Sequence, residues 1–230
     1  MRFPRLALPL LFVSGFSVAC IPVLAYQTGD LLVRGRIINI SPDSSSDDVT
    51  SNGTTVPDTS VEVESGYSLD LDFTYMFTPN IGAELLLDLS SKHEVTAKGN
   101  TLASLAPGNI MSTRVLPPAL ILQYHPTPDA WFSPYVGLGL NYTYFFDESA
   151  TDSLNNGLKG VSAPSLDASF GWVTQFGADY DLGNEWFLNA DLKYMAIGTT
   201  ATFNSGALGS VSVDVDINPW VIGLGIGKRF

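Results

Sequence analysis

The chain has 230 residues, 45% hydrophobic and only 15% charged, and its 11 basic against 23 acidic side chains give a net charge of −12 at pH 7. That acid excess disfavours nucleic acid as a partner, and one cysteine, Cys20, leaves no pair for a disulfide. Mean hydropathy is slightly positive at +0.18, yet beyond the amino-terminal segment no run reaches the ~18 apolar residues of a membrane helix. The apolar residues are therefore spread over shorter, alternating elements.

At the amino terminus, Arg2 and Arg5 precede an apolar stretch over 6–24, and Val23-Leu24-Ala25 has the form of a small-residue cleavage site. This is the pattern of a secretory signal peptide over 1–25. Pro9, Gly15 and Pro22 interrupt the stretch, and a proline costs about 3 kcal/mol inside a helix, which argues against a permanent anchor. A lipid-modified Cys20 is the weaker alternative, because Ser17-Val18-Ala19 lacks the usual leucine at the third position before it. Cleavage leaves one domain over 26–230 with no cysteine and hence no thiol chemistry.

Eight strands follow. The first covers 31–40 and the second 65–77, where Leu69, Leu71, Phe73, Tyr75 and Phe77 alternate with Ser68, Asp70, Asp72 and Thr74. After the turn Thr78-Pro79-Asn80, the third sets Ile81, Ala83, Leu85, Leu87 and Leu89 against Gly82, Glu84, Leu86 and Asp88. The fourth covers 112–124 and ends at His125-Pro126. The fifth sets Val136, Leu138, Leu140, Tyr142 and Tyr144 against Gly137, Gly139, Asn141 and Thr143. The sixth alternates Phe170, Trp172, Thr174 and Phe176 with Ser169, Gly171, Gln175 and Gly177; the seventh alternates Trp186, Leu188, Ala190, Leu192 and Tyr194 with Asn189, Asp191 and Lys193. The eighth begins near Ser212 and changes apolar parity at Asn218-Pro219, which predicts a bulge or bend. It closes with bulky Trp220, Ile222, Leu224, Ile226 and Phe230 opposite small Gly223, Gly225 and Gly227.

Short turns follow strands two, four and six, whereas long polar segments over 41–64, 90–111, 147–166 and 199–211 follow the others. Alternating short and long connections, with aromatics near strand ends, predict an all-β protein: an eight-stranded antiparallel up-and-down transmembrane β-barrel in a bacterial outer membrane, both termini periplasmic. A soluble lipocalin-like barrel has the opposite arrangement, apolar inside; here the minor face carries charges and glycines, which suit a narrow lumen.

Several pieces of the chain resemble the outer-membrane protein W (OmpW) family: Phe73-Thr74-Tyr75-Met76, Asn80-Ile81-Gly82-Ala83-Glu84-Leu85-Leu86, Leu116-Pro117-Pro118-Ala119-Leu120, Pro134-Tyr135-Val136-Gly137, Gln175-Phe176-Gly177-Ala178-Asp179-Tyr180, Trp186-Phe187-Leu188-Asn189-Ala190-Asp191 and Asn218-Pro219-Trp220-Val221. The resemblance spans nearly all of 26–230. It implies a narrow, partly apolar channel or binding site for small hydrophobic molecules, with sideways release into the bilayer as one exit. Two positions depart from the family: Lys228 replaces an aromatic two residues before the terminal Phe230, and Lys193 stands where an inward aromatic is expected.

By parity the lumen and constriction candidates are Leu86, Lys193, Glu84, Asp191, Arg34 and Arg36, with Asp70, Asp72 and Asp88 beside them. A barrel of eight strands is just wide enough for side chains to fill, so these charges form either a self-satisfied plug or a filter beside Leu86. No catalytic, cofactor-binding or metal-binding motif appears: His93 and His125 fall near opposite ends of neighbouring strands, with His93 expected beside Glu94 in solvent, and a general base needs its partner within about 3 Å. No cofactor is expected. The expected partners are outer-membrane lipid and lipopolysaccharide, small hydrophobic molecules and the barrel-assembly machinery, and the expected state is a monomer. The carboxylates Asp43, Asp47, Asp48, Asp58, Glu62 and Glu64 of the first loop suit divalent bridging to lipopolysaccharide phosphates. The competing function is a non-conducting structural or surface-interaction barrel acting as an adhesin or receptor.

Overall fold

The computed structural model describes residues 25–89 and 91–230. The expected signal peptide, apart from Ala25, lies outside the described residues. Eight antiparallel strands form the wall: β1 (Leu31–Ser41), β2 (Gly66–Met76), β3 (Ile81–Asp88), β4 (Ala119–Tyr124), β5 (Phe132–Ala150), β6 (Ser169–Gly183), β7 (Trp186–Met195) and β8 (Trp220–Arg229). Each pairs with the next, and β8 returns to β1 over the register Leu32↔Arg229 to Ser41↔Trp220. Closure leaves no free edge, so every strand finds a backbone partner on both sides.

The alternation sets the two faces. Ile37, Leu120, Leu138 and Leu224 point outward and are each more than 60% exposed, an arrangement stable only where the surroundings are hydrocarbon. Aromatic rings rim this belt at both ends. Trp131 packs on Phe132 and Tyr180 near the chain termini, and Tyr194 packs between Trp172 and Trp220 at the other end. Lys228 fits the first girdle: its ammonium lies 5.5 Å from the Trp186 ring and 5.0 Å from that of Phe230, a cation–π contact that replaces the missing aromatic.

The inward glycines of β8 make room for large neighbours. A Cβ on Gly223 would stand 2.6 Å from Asp191 Oδ1 and 3.1 Å from Arg36 Cδ, and one on Gly227 would meet the Phe187 ring at 2.3 Å.

Two expected strands are shorter than their sequence pattern. The fourth is divided: Asn109–Leu116 is a separate strand, and β4 starts only after Pro117-Pro118, because neither proline has an N–H to give the ladder. The eighth starts at Trp220. The residues before it, Gly209–Asp216, form a hairpin with Gly198–Ser205 in a second sheet. Asn218 takes a positive φ of 41°, so the change of parity at Asn218-Pro219 marks a break between strands and not a bulge within one.

The long connections are not simply solvated loops. Val61–Val63, Ser91–Ala97 and Asn109–Leu116 pair in sequence onto the far end of β5, and two short helices, α1 (Asn100–Leu105) and α2 (Asp152–Gly157), cap them. Their inward residues form an apolar cluster that includes Val61, Val63, Leu102, Met111, Leu154 and Val213.

Candidate functional site: an apolar chamber above a charged layer

The barrel interior is stacked in layers. Nearest the termini, Tyr26, Leu32, Met76 and Phe187 form a small apolar cluster. Tyr26 is tethered by its own N–H to the Pro128 carbonyl at 3.0 Å, and its hydroxyl donates to Asp179 Oδ2 at 2.7 Å.

Above it lies a charged layer built from inward residues of β1, β2, β3, β6 and β7. Arg34 Nη2 donates to Asp179 Oδ2 at 2.7 Å and Nη1 to Thr74 Oγ1 at 2.7 Å; Nη1 also lies 3.8 Å from Glu84. Arg36 donates to Asp70 at 2.9 Å, to Asp191 at 2.7 Å and to Asp72. Lys193 donates to Asp191. Two amides knit these pairs together: Gln175 Nε2 donates to Asp191 at 2.9 Å and Glu84 at 3.1 Å, and Gln123 Nε2 to Glu84 at 2.7 Å. Arg34, Glu84, Gln175 and Lys193 are wholly buried. A narrow lumen cannot hold such charges without partners, and the network pairs each of them, leaving only the Oδ1 atoms of Asp72 and Asp191 without a hydrogen bond among its carboxylates.

Of the sequence candidates, Arg34, Arg36, Glu84, Asp191 and Lys193 all fall in this layer. Leu86, 4% exposed, stands just above it in a cluster with Ile38, Val115, Ile121, Met195 and Val221. Leu86 and Lys193 both line the cavity above this layer. All six are buried in the barrel interior. Parity did not give Tyr26, which precedes the first strand and so carries no alternation signal.

From Leu86 upward the interior is a chamber lined by Ile38, Leu86, Val115, Phe145, Met195 and Val221, and continued by the loop residues Val61, Leu154, Val211 and Val213. Asp70 and Lys193 form its floor. Its cavity volume is about 110 Å³, close to the ~150 Å³ apolar cavity that admits one benzene. No lining residue is shared with the small pocket at the terminal end, which involves Tyr26, Asp179 and Phe187.

His93 departs from the sequence expectation. It is 7% exposed and lines the chamber, while neighbouring Glu94 points out. The reason is that Ser91–Ala97 continues the alternation of a wall, not of a loop. His125, in the turn after β4, is buried with its ring 5.3 Å from Tyr26 and 5.0 Å from Tyr135. Burial, aided by the nearby Arg34 charge, pushes its pKa down to about 4.

Among the described residues, the ladder beside the chamber is interrupted. β3 and β4 pair from Tyr124↔Ile81 up to Ala119↔Leu86, and pairing resumes at Ser91↔Val115. Between them, among the described residues, no backbone hydrogen bond joins the two sides. Pro117 lines the chamber there, and Leu89 and Leu116 face outward.

Comparison with known proteins places this architecture. The OmpW family profile matches residues 27–230. Outer membrane protein W of Vibrio cholerae serotype O1 is 41% identical over 215 residues, 93% of this chain and 94% of that one. The crystal structure of the outer membrane protein OprG from Pseudomonas aeruginosa superposes with a TM-score of 0.83 at 36% identity, covering 90% of this chain and 98% of that chain. The dibenzothiophene metabolism operon protein PahQ of Pseudomonas aeruginosa is 27% identical over 183 residues, 78% of this chain and 79% of its own. A match that runs from two residues past Ala25 to the final Phe230, joined to the same closed wall and lipid-facing belt, makes this chain a member of the OmpW family, an outer-membrane barrel in contact with membrane lipid and not an enzyme.

Proposed function

We propose that this barrel admits small hydrophobic molecules at its loop end, holds them in the apolar chamber, and releases them sideways into the membrane between β3 and β4. The observation that carries the reading is the stacking of an apolar chamber on a layer of buried, ion-paired charges. An apolar guest entering from the loops gains by leaving water but would have to part buried ion pairs to continue along the axis, at a cost of several kcal/mol. The interrupted wall is the alternative exit, and it opens beside Leu86 and Pro117. The name of PahQ, a relative from an operon for metabolism of a sulfur-containing aromatic, agrees with apolar cargo. In this reading residues 1–25 are a cleaved signal, the termini are periplasmic, the loops face outward among lipopolysaccharide, the assembly machinery inserts the barrel, and the monomer is the working unit.

The test is uptake of labelled naphthalene by cells that lack other apolar-solute porins and express this chain. Val115→Trp fills the chamber without touching the charged layer. Its initial uptake rate is expected to fall to that of cells without the protein, while the heat-modifiable, folded band stays at its normal level. Unchanged uptake with a folded variant would remove the chamber from the route.

A further inference from the structure

Four basic residues stand at the loop end, Lys92, Lys98, Arg114 and Lys159, among carboxylates that include Asp43, Asp47, Asp58, Glu62 and Glu94. In so acidic a setting each cation has acids to pair with, as Lys98 does with Glu62 at 2.9 Å. Lys92 and Arg114 instead face each other. They are direct partners in the ladder between Ser91–Ala97 and Asn109–Leu116, which puts their Cβ atoms about 4.5–5.5 Å apart. Both are exposed on the outer face, each between two buried neighbours. Like charges directly opposite in a sheet destabilise it. Among the described residues no carboxylate is in ion-pair contact with Lys92, and Arg114 has only Asp147, at 3.3 Å, whose side chain is 72% exposed. So exposed a pair contributes little.

The height of the two charges on the wall is specific. Leu116 is the next outward residue from Arg114 toward the lipid-facing belt, and Leu89 is the last outward apolar residue before Lys92. At about 3.3 Å per residue, both charges stand roughly 7–10 Å beyond the belt. Beside them, exposed Tyr144 and half-buried Phe146 stack at 14° with centroids 6.1 Å apart, and these two are the ladder partners of Leu116 and Arg114. Cations just beyond an apolar belt, next to aromatic rings, lie at the level of lipid headgroups.

We propose that Lys92 and Arg114 form a docking site for a phosphate of an outer-leaflet glycolipid, the lipid A portion of lipopolysaccharide, whose acyl chains lie against Leu89, Leu116 and Leu120. The guanidinium offers a planar fork for two phosphate oxygens and the ammonium a compact charge, so one anion turns a repelling pair into a bridged one. The apolar residues below supply the second contact, which selects a lipid over free phosphate. The site stands over the interrupted ladder between β3 and β4, so the bound lipid lies at the membrane side of the proposed exit. The inference rests on the reading above in one respect, that the loops face outward.

The experiment is native mass spectrometry of the purified barrel titrated with bisphosphorylated lipid A, with dephosphorylated lipid A of the same acylation, and with phosphatidylglycerol. Bisphosphorylated lipid A is expected to bind at least about tenfold more tightly than the dephosphorylated form, as one charge-assisted contact implies, with phosphatidylglycerol between them. Lys92→Gln with Arg114→Gln should bring the ratio to within about twofold, whereas Lys98→Gln, at the same end of the barrel, should leave it unchanged. Lys92→Glu separates binding from folding: it makes an opposite-charge pair with Arg114, so the folded band persists while the phosphate preference is lost. Equal affinity for the two forms of lipid A, a preference that survives the double substitution, or phosphatidylglycerol bound as tightly as lipid A would overturn the site. Displacement of the lipid by inorganic phosphate would make it a soluble-anion site and overturn the lipid as occupant. Labelling of Lys98→Cys on intact cells by a membrane-impermeant maleimide, measured against the unaltered chain, tests the orientation separately. Labelling without a lipid preference sinks the site alone; labelling only after lysis sinks the outward loops and the outer-leaflet partner with them.

Discussion

Replacing Arg36 with methionine is expected to destabilise the barrel by about 4 kcal/mol, the range for removing one partner of a buried ion pair. Arg36 joins three strands at once. It donates to Asp70 and Asp72 on β2 and to Asn189 and Asp191 on β7, and it is itself 2% exposed. Methionine has a similar length but no donors. Asp70 would keep only Lys193 at 3.9 Å, and Asp72 only Arg34 at 3.7 Å. Lys193→Met should cost clearly less, because Asp191 retains its bonds from Arg36 and Gln175. Equilibrium urea unfolding from lipid vesicles, followed by tryptophan fluorescence, measures both. An unchanged midpoint for Arg36→Met would mean that water reaches the layer and screens it, and that the axis is open after all.

The second large effect concerns the wall. Pro117 and Pro118 occupy the stretch where β3 and the strand above it lose their partner. Changing both to alanine restores two N–H donors, of which only that of residue 117 faces Leu87 to Leu89, because Pro118 turns its carbonyl to the Tyr142 N–H of β5 and consecutive strand residues face opposite neighbours. If that donor forms a ladder bond worth about 0.5–1.5 kcal/mol, closing the seam slows sideways release by about twofold to tenfold. Naphthalene uptake should fall accordingly, while toluene bound in nanodiscs should still occupy the chamber. The pairing of these outcomes matters: a variant that loses both uptake and occupancy has lost its chamber, and one that keeps full uptake shows that cargo leaves elsewhere.

The wall of this protein was readable because its chemistry is periodic. Residues 67–75 and 188–194 alternate apolar with polar or charged side chains without interruption, and the charges that parity assigns to the minor face are buried. Even the departures left a trace. The proline pair at 117–118 and the parity change at 218–219 stand at the two points where the pattern ends early.

The chamber was less legible, for a physical reason. Its upper part is assembled from short pieces, Val61 and Val63, Leu102, Leu154, and the Val211-Val213-Val215 series, that lie on four separate connections. Apart from the valine series, none has enough residues to display a period, and the polar composition around them reads as solvated loop. Only the valine series carried alternation, and it was continuous in sequence with β8 although it belongs to another sheet. His93 was obscured by its neighbour Glu94. Tyr26 closes the terminal end from outside any strand, through one bond to Asp179 that spans 153 positions of the chain.

The most direct measurement is of where a bound guest sits. With methyl-labelled protein in nanodiscs, nuclear Overhauser contacts from toluene should appear at Val115, Met195, Val211 and Val221, which line the chamber. They should be absent at Leu32 and Met76, which lie on the far side of the charged layer. Contacts at Leu32 or Met76, or contacts confined to the outward Leu138 and Leu224, would contradict a chamber that fills from the loops and is sealed beneath.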